Sequence, residues 1–412
     1  MKVLLGLRTA THRIHLLICA VLLAAIPVAK AQTETLLYSF GTDAEGPFAG
    51  VIMDKSGNLY GTTPNNVNGP SYGTVYQLSP SGVETILYKF AGCPNTGCPG
   101  DGVAPYVVTL ITDKAGNFYG TTAYGGAYGY GTVWKLASGV ESVLYSFASY
   151  DANNANTGGA VPYSGVIMDS SGNLYGTTLV GGPSGLGVVY KLTSSGIEVV
   201  LHSFSGPQSG GQGADGAEPV APLLMDKAGN LYGTTQYGGT YGLGTVFKVT
   251  PTGSYSIVYD FSGSPLDGAE PYAGPMVMDK MGNLYGTTAY GGSYNWGTVF
   301  ELSPSGAESL LYSFTNSNGD GAVPYAGLLL DGHGNFYGST YQGGDSTQCG
   351  TAWRLTPSGV ETVLHMFTGY PGDGCHPYSG ALIVDSKGRN LYGTTLTGGS
   401  YNSGTVFSVT TR

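Results

Sequence analysis

The amino-acid sequence predicts an all-β protein: a seven-bladed β-propeller with four antiparallel strands per blade, its ring closed by an N-terminal strand (residues 34–40) joining the C-terminal blade. Three observations predict it. The heptapeptide Gly57-Asn58-Leu59-Tyr60-Gly61-Thr62-Thr63 recurs nearly unchanged seven times, its tyrosine falling at Tyr60, Tyr119, Tyr175, Tyr232, Tyr285, Tyr337 and Tyr392. Such spacings mark a propeller, solenoid or array. Each copy also holds four segments of strand character, which fits a propeller blade, whereas solenoid coils repeat at shorter intervals. Finally, the chain after its leader opens on a fourth strand with no blade before it and closes on a third strand with no fourth after it. Length alone would suggest two or three domains for 412 residues. The repeat overrides that expectation, because no copy is large enough to bury its own core, and one domain over residues 32–412 is expected. The 70 glycines and 32 tyrosines serve tight turns and packing between sheets, leaving helix little support beyond the N-terminus.

The elements follow in chain order. Lys2, Arg8 and Arg13 precede an apolar stretch from about Ile14 to Ala29, and Ala29-Lys30-Ala31 places small residues at both cleavage positions. Residues 1–31 therefore read as a secretory signal peptide rather than a span, which needs roughly 20 apolar residues. Ile18 before Cys19 argues against lipoprotein processing. No membrane span is expected once the signal is removed. Glu34-Thr35-Leu36-Leu37-Tyr38-Ser39-Phe40 is the unaccompanied fourth strand. The copy that begins at Pro271 shows the unit most plainly: a first strand at Tyr272–Met278, a tight turn at residues 279–283, a second strand at Asn283–Thr288, and a longer loop at Ala289–Trp296. A third strand at Gly297–Leu302, a turn at 303–306 and a fourth strand at Glu308–Phe314 complete it. Gly404 to Val409 is the last third strand, and strand 34–40 supplies its missing partner, protecting edges that an open array would expose.

Removing residues 1–31 leaves 12 basic residues against 26 acids, a net charge of −14. Such a surface repels phosphate backbones and anionic headgroups, so neither nucleic acid nor a membrane surface is expected as partner. Four cysteines remain, and export permits disulfides. Cys93 and Cys98 bracket a Pro-Asn-Thr-Gly turn and are expected to bridge locally; Cys349 and Cys375 lie in successive connections and can pair if those loops meet. Zinc would need four ligands with paired close spacings, and only His376 accompanies Cys375, so neither metal nor cofactor is expected.

The series Gly-Asn-Leu-Tyr-Gly-Thr-Thr, Gly-Gly and Gly-Thr-Val-Phe, in seven ordered copies over residues 34–412, resembles the Gloeobacter/Verrucomicrobia tandem repeat, GloVer. The resemblance implies an exported bacterial protein and brings no assigned activity. Members use varied terminal anchors; no anchor sequence is expected before Arg412. A looser likeness to other propeller repeats with an Asp-x-x-Gly-Asn hairpin carries no function.

In a blade, the loop from second to third strand and the connection to the next blade open on one face, where variable loops on a rigid scaffold bind ligands. Three sets of residues stand there. Asp101, Asp215, Asp267, Asp320 and Asp373 precede glycine in the connections; they could hold a cation or act on a sugar, but recurrence in many blades suits a turn cap better than a catalytic pair. The Gly-Gly loops carry Tyr124, Tyr128, Tyr130, Tyr237, Tyr241, Tyr290, Tyr294, Trp296, Tyr341 and Tyr401, which could stack on sugars, anchor a protein, or pack on neighbouring loops. Tyr128, Tyr130, Tyr294 and Trp296 are taken as the ligand-binding set, Trp296 and Tyr130 because they interrupt the pattern. Glu218, Glu270, Asp345 and His376 break the sevenfold symmetry, as a single active site must, and Glu218, Glu270 and His376 are the acid–base candidates. No serine nucleophile motif, metal-ligand pair or phosphate loop accompanies them. His202 and His365 replace tyrosine in fourth strands and read as structural, as does His333 in a turn.

The expected function is that of an exported, monomeric binding scaffold for an extracellular glycan or surface protein, secreted, periplasmic or held at the cell surface. A polysaccharide hydrolase or lyase at the channel mouth is the alternative, and a structural envelope protein a third reading.

Overall fold

A computed structural model describes residues 34–41, 46–64, 72–92, 100–106, 109–148, 158–206 and 215–411. The leader and the Cys93–Cys98 bridge lie outside the described residues. Among those described there is no helix, and seven four-stranded antiparallel sheets form the blades of a propeller. In blade five the order from the axis outward is Val277–Met278, Leu284–Thr288, Thr298–Leu302 and Glu308–Ser313. Blade seven takes its outermost strand from the other end of the chain: Thr35–Ser39 pairs antiparallel with Thr405–Thr410, and the Phe40 N–H donates to Gly404 O at 3.0 Å.

Every residue of the recurring heptapeptide has a task in this build. Gly57 takes φ +84°, closing the hairpin. One oxygen of Asp54 accepts the Ser56 and Asn58 N–H groups, and the other accepts the Asn58 amide at 2.8 Å and the Tyr60 hydroxyl at 2.9 Å. Leu59 is buried in the space between blades. Gly61 lies under the Tyr76 ring, where a Cβ would come 2.5 Å from the phenol oxygen. The first threonine reaches the neighbouring blade, as Thr287 Oγ1 donating to Ala326 O at 2.9 Å, and the second pairs across the sheet, as Thr288 with Thr298 at 2.7 Å.

Seven edge-on aromatic pairs complete the packing between blades: Phe40–Tyr76, Phe90–Trp134, Phe147–Tyr190, Phe204–Phe247, Phe261–Phe300, Phe314–Trp353 and Phe367–Phe407, with ring centroids 4.9 to 5.5 Å apart. In each, the phenylalanine ending one outermost strand enters the third strand of the next blade. The set is closed only because Phe40 comes from the N-terminal strand.

The innermost strand differs from expectation. Ladder pairing is confined to Val277–Met278 rather than Tyr272–Met278. The preceding residues crowd the axis: a Cβ on Gly274 would sit 2.5 Å from Gly327 N, and one on Gly380 would overlap the Gly50 amide. Backbone pressed against a neighbouring blade cannot also pair within its own sheet, and Pro275 has no N–H to offer.

Candidate functional site

The face carrying the loops between second and third strands is ordered by a feature absent from the sequence reading. The chain entering a blade forms a two-stranded ribbon with that blade's own loop, as Gly268–Ala269 with Tyr290–Gly291 and Gly374–Cys375 with Thr397–Gly398. The residue after the ribbon turns the chain toward the axis in a left-handed conformation, with φ of 53° to 59° at Ala104, Val161, Glu218, Glu270, Val323 and His376. Proline follows, and then an aromatic residue in every described blade but one: Phe48, Tyr106, Tyr163, Tyr272, Tyr325 and Tyr378.

These six rings form a circuit at the mouth of the channel that is open at one point, between Tyr163 and Tyr272. Phe48 meets Tyr378 at 5.1 Å and Tyr106 at 5.5 Å; Tyr106 stacks on Tyr163 at 5.6 Å. On the other side of the circuit Tyr272 lies 4.6 Å from Tyr325, and Tyr325 returns to Tyr378 at 5.4 Å. Across the circuit the Tyr272 and Tyr378 hydroxyls are 3.0 Å apart. Burial, reinforced by neighbouring phenols, pushes Tyr163, Tyr325 and Tyr378 well above the usual phenol range, so these hydroxyls stay protonated and able to donate.

Blade four breaks the circuit, because Val220 stands where the others have an aromatic. Beside that gap, Glu218 and Glu270 from consecutive blades both act on the Tyr237 phenol, which burial and then the fields of Glu270 and Glu218 push upward. The rung they occupy accepts alanine and valine elsewhere, so the backbone does not require glutamate there. His376 holds the same rung in blade seven. Its ring stacks on Tyr341 at 4.5 Å, its Nδ1 is 3.2 Å from Thr397 Oγ1, and burial lowers its pKa, favouring the neutral imidazole. None of the described lysines or arginines lies in these loops or connections; they occupy the opposite hairpins, such as Lys55 and Lys280, or the strands, such as Lys191 over Tyr175. The face thus combines aromatic surface with hydrogen-bond acceptors and lacks fixed positive charge.

The four residues taken from sequence as ligand contacts do not form one cluster. Tyr128 and Tyr294 are about 60% exposed at the tips of loops in blades two and five. Tyr130 and Trp296 are half-buried, Tyr130 against the core between blades two and three, and Trp296 against Ala289, Ala322 and Val323, the cluster on which Tyr272, Tyr290, Tyr325 and Tyr341 also pack. Leu186 and Leu243 fill the same rung in other blades and contact Gly206 and Gly263 of the following connection. Cys349 fills it in blade six, and its disulfide to Cys375 (S–S 2.06 Å) is the covalent counterpart of that contact. Asp345 caps its own turn, accepting the Thr347 N–H and hydroxyl.

The ring of aspartates is structural. Asp267 accepts the Ser262 N–H and hydroxyl, the Tyr259 hydroxyl and the Gly268 N–H, tying the end of one outermost strand to the next connection. Asp320 and Asp373 repeat this with Thr315 and Thr368.

Among solved structures, the chain is similar to PorZ, a surface component of the type-IX secretion system of Porphyromonas gingivalis, at 13% identity over 90% of this chain and 47% of that one, with a TM-score of 0.53. It is also similar to a candidate 6-phosphogluconolactonase of Bacteroides uniformis (14% identity, 81% and 87% covered, TM-score 0.48) and to regucalcin, a calcium-binding protein of Agrobacterium tumefaciens (12%, 90% and 94%, 0.41). At these identities the likeness is one of fold alone. No curated protein sequence matches the chain. The model of the Gloeobacter/Verrucomicrobia repeat matches residues 23–159, 152–349 and 276–412, and the chain belongs to that family.

Proposed function

We propose that this protein is an exported scaffold that binds a neutral extracellular glycan at the mouth of its channel. The observation that carries the reading is the run of six aromatic rings about the channel mouth, open at Val220 beside Glu218 and Glu270. Aromatic faces stack on the apolar side of pyranose rings, while carboxylates and phenols pair with sugar hydroxyls. The single break supplies the asymmetry that a defined ligand needs. Tyr294 and Tyr128 extend the contact surface toward the rim, and Trp296 packs on the same buried cluster as Tyr272 and Tyr325. The lack of fixed cations on this face disfavours anionic polysaccharide, as the acidic balance of the whole chain does. Export is supported by the apolar leader and by the buried Cys349–Cys375 bridge, a bond typical of oxidising compartments.

The test is a glycan array followed by calorimetry. Tyr325→Ala and Glu270→Gln should each weaken binding by about tenfold, the equivalent of 1.4 kcal/mol. Failure of the wild type to bind any neutral glycan, or equal binding by both variants, overturns the reading. The placing of Glu218, Glu270 and His376 at the same left-handed position of three blades leaves one second reading, a hydrolase or lyase acting on the bound polysaccharide. Turnover by the wild type that is lost in Glu270→Gln or His376→Ala would establish it. A structural envelope component would respond in neither assay.

A further inference from the structure

The seven blades meet at joints built to one plan. Near the end of each outermost strand stands a tyrosine or histidine, the following connection supplies an aspartate, and the outermost strand of the next blade begins with a glutamate. At one joint Tyr38 donates to Glu84 across a connection that lies outside the described residues; the other six read Tyr88, Asp101, Glu141; then Tyr145, Gly158, Glu198; then His202, Asp215, Tyr255; then Tyr259, Asp267, Glu308; then Tyr312, Asp320, Glu361; and last His365, Asp373, Glu34. Only the last unites histidine, aspartate and glutamate among the described residues. At the other histidine joint the glutamate is replaced by Tyr255, whose ring stacks on His202 at 3.8 Å.

At the last joint one ligand atom from each of Glu34, His365 and Asp373 lies within 4.8 Å of the other two. His365 Nε2 is 3.0 Å from Asp373 Oδ2, and both side chains are largely buried. Asp373 is held in place by the Thr368 N–H and hydroxyl on one oxygen and the Gly374 N–H on the other. Glu34 Oε1 is shut off from solvent and has no hydrogen-bond partner. A buried carboxylate oxygen facing a second carboxylate and an imidazole is a costly arrangement that a cation relieves.

We propose that Glu34, His365 and Asp373 bind one divalent transition-metal ion of the Zn2+ class, which clasps the N-terminal strand to blade six and locks the ring. The donor set decides the class. One imidazole nitrogen and two carboxylates suit Zn2+, with water in the fourth tetrahedral position, whereas Ca2+ takes six to eight oxygens. The contacts from Thr368 and Gly374 orient Asp373 as outer partners of a ligand do. The site lies at the outer strands between blades six and seven, away from the channel mouth, and its failure would leave the glycan reading untouched.

The experiment takes the purified protein, strips it with a chelator and titrates it with ZnCl2, following binding by calorimetry, metal content by mass spectrometry and melting temperature by calorimetric scan. About one ion per chain is expected, with a melting point raised by about 3 °C at a hundredfold excess over the Kd. His365→Tyr installs the residue found at five other joints, so it should keep the metal-free melting point yet bind Zn2+ at least about tenfold more weakly. Glu34→Gln should do the same, and His333→Ala, on an exposed turn, should change nothing. X-ray absorption on the wild type, which needs no variant to fold, should show a nitrogen–oxygen shell near 2.0 Å with one imidazole. Fewer than about a tenth of an ion per chain at saturating Zn2+ overturns the proposal, as does undiminished binding in both site variants or a shell without imidazole.

Discussion

Three of the blade joints should make this protein most stable in mild acid. Glu141, Glu308 and Glu361 each have a carboxyl oxygen shut off from water without a hydrogen-bond partner. Burial first, and then the neighbouring Asp101, Asp267 or Asp320, pushes each from 4.5 up to about 7. Between those values the folded state holds protons that the unfolded chain has released, so stability is complete below pH 4.5 and is lost as pH rises through 7. The raw shift corresponds to about 3 kcal/mol per group; these carboxyls are a third to half exposed, and solvent screening reduces that to about 1 kcal/mol each, or roughly 3 kcal/mol together. For a repeat domain of this size that is a fall of about 4 °C in melting temperature between pH 4.5 and pH 8. Glu34, likewise raised to about 7 chiefly by burial, adds to the fall, whereas His376, lowered by burial, acts in the opposite sense below pH 6.5, one group against four. Under stronger acid the hairpin aspartates reverse the trend: Asp113, held at about 2 chiefly by the Asn117 amide, must be protonated, and stability should fall below about pH 4. The assay is differential scanning calorimetry from pH 3 to 8 on the wild type and on the triple variant Glu141→Gln, Glu308→Gln, Glu361→Gln. Glutamine mimics the neutral acid, so the variant should lose most of the fall between pH 4.5 and 8, keeping only what Glu34 and His376 contribute, and melt higher than the wild type at pH 8. Glu198→Gln, at the joint where Gly158 replaces the aspartate, is the control. A wild-type melting point that is level or rising from pH 4.5 to 8, or a triple variant that keeps the full slope, would refute the reasoning.

Three further outcomes follow from the packing. Deleting residues 34–40 removes the outermost strand of blade seven and the Phe40–Tyr76 contact, and should lower the melting temperature by more than about 10 °C or abolish soluble expression, since a propeller edge is left unpaired; an unchanged melting point would sink ring closure. Replacing Cys349 and Cys375 by serine opens a link across 26 residues and should cost about 3 kcal/mol, read as a shift in urea midpoint that reductant reproduces in the wild type. Gly380→Ala places a Cβ on the Gly50 amide at the axis and should cost at least about 3 kcal/mol, whereas Gly372→Ala, with nothing within 4 Å, should cost little; equal urea midpoints for the two would contradict the packing of the inner segments.

The fold was legible because each strand signal is local and is written seven times, so that an ambiguous copy is read from its neighbours. Closure was legible for the same reason: Glu34 to Phe40 matches the fourth strand of the other copies residue for residue. The aromatic circuit was not legible. Tyr272 reads as the first residue of a strand, and nothing local says that it leaves the ladder; its hydroxyl partner Tyr378 is 106 residues away and meets it only because seven blades turn through one circle. The signal that could have found it is the exception, Val220 after proline where the other copies carry an aromatic.

Disagreement between copies therefore has two physical meanings, which sequence alone runs together. At the rung of Tyr130, Leu186, Leu243, Trp296 and Cys349, the side chains differ in chemistry but share the work of packing on the next connection, so Trp296 is one of several fillers as well as a member of the cluster on which Tyr272 and Tyr325 pack. At the rung of Ala104, Val161, Glu218, Glu270, Val323 and His376, the backbone is fixed at the same left-handed turn whatever the side chain, and the main-chain bonds are the same: Glu270 N–H to Leu243 O, Ala289 N–H to Glu270 O, and likewise His376 N–H to Cys349 O and Leu396 N–H to His376 O. Packing explains variation of the first kind. It does not explain charge at the second, where alanine serves the fold equally well and a carboxylate beside the channel mouth carries a desolvation cost. Substituting Glu218 and Glu270 by alanine together should leave the melting temperature within about 1 °C of wild type while removing glycan binding. A loss of stability matching the loss of binding would return these two residues to the scaffold.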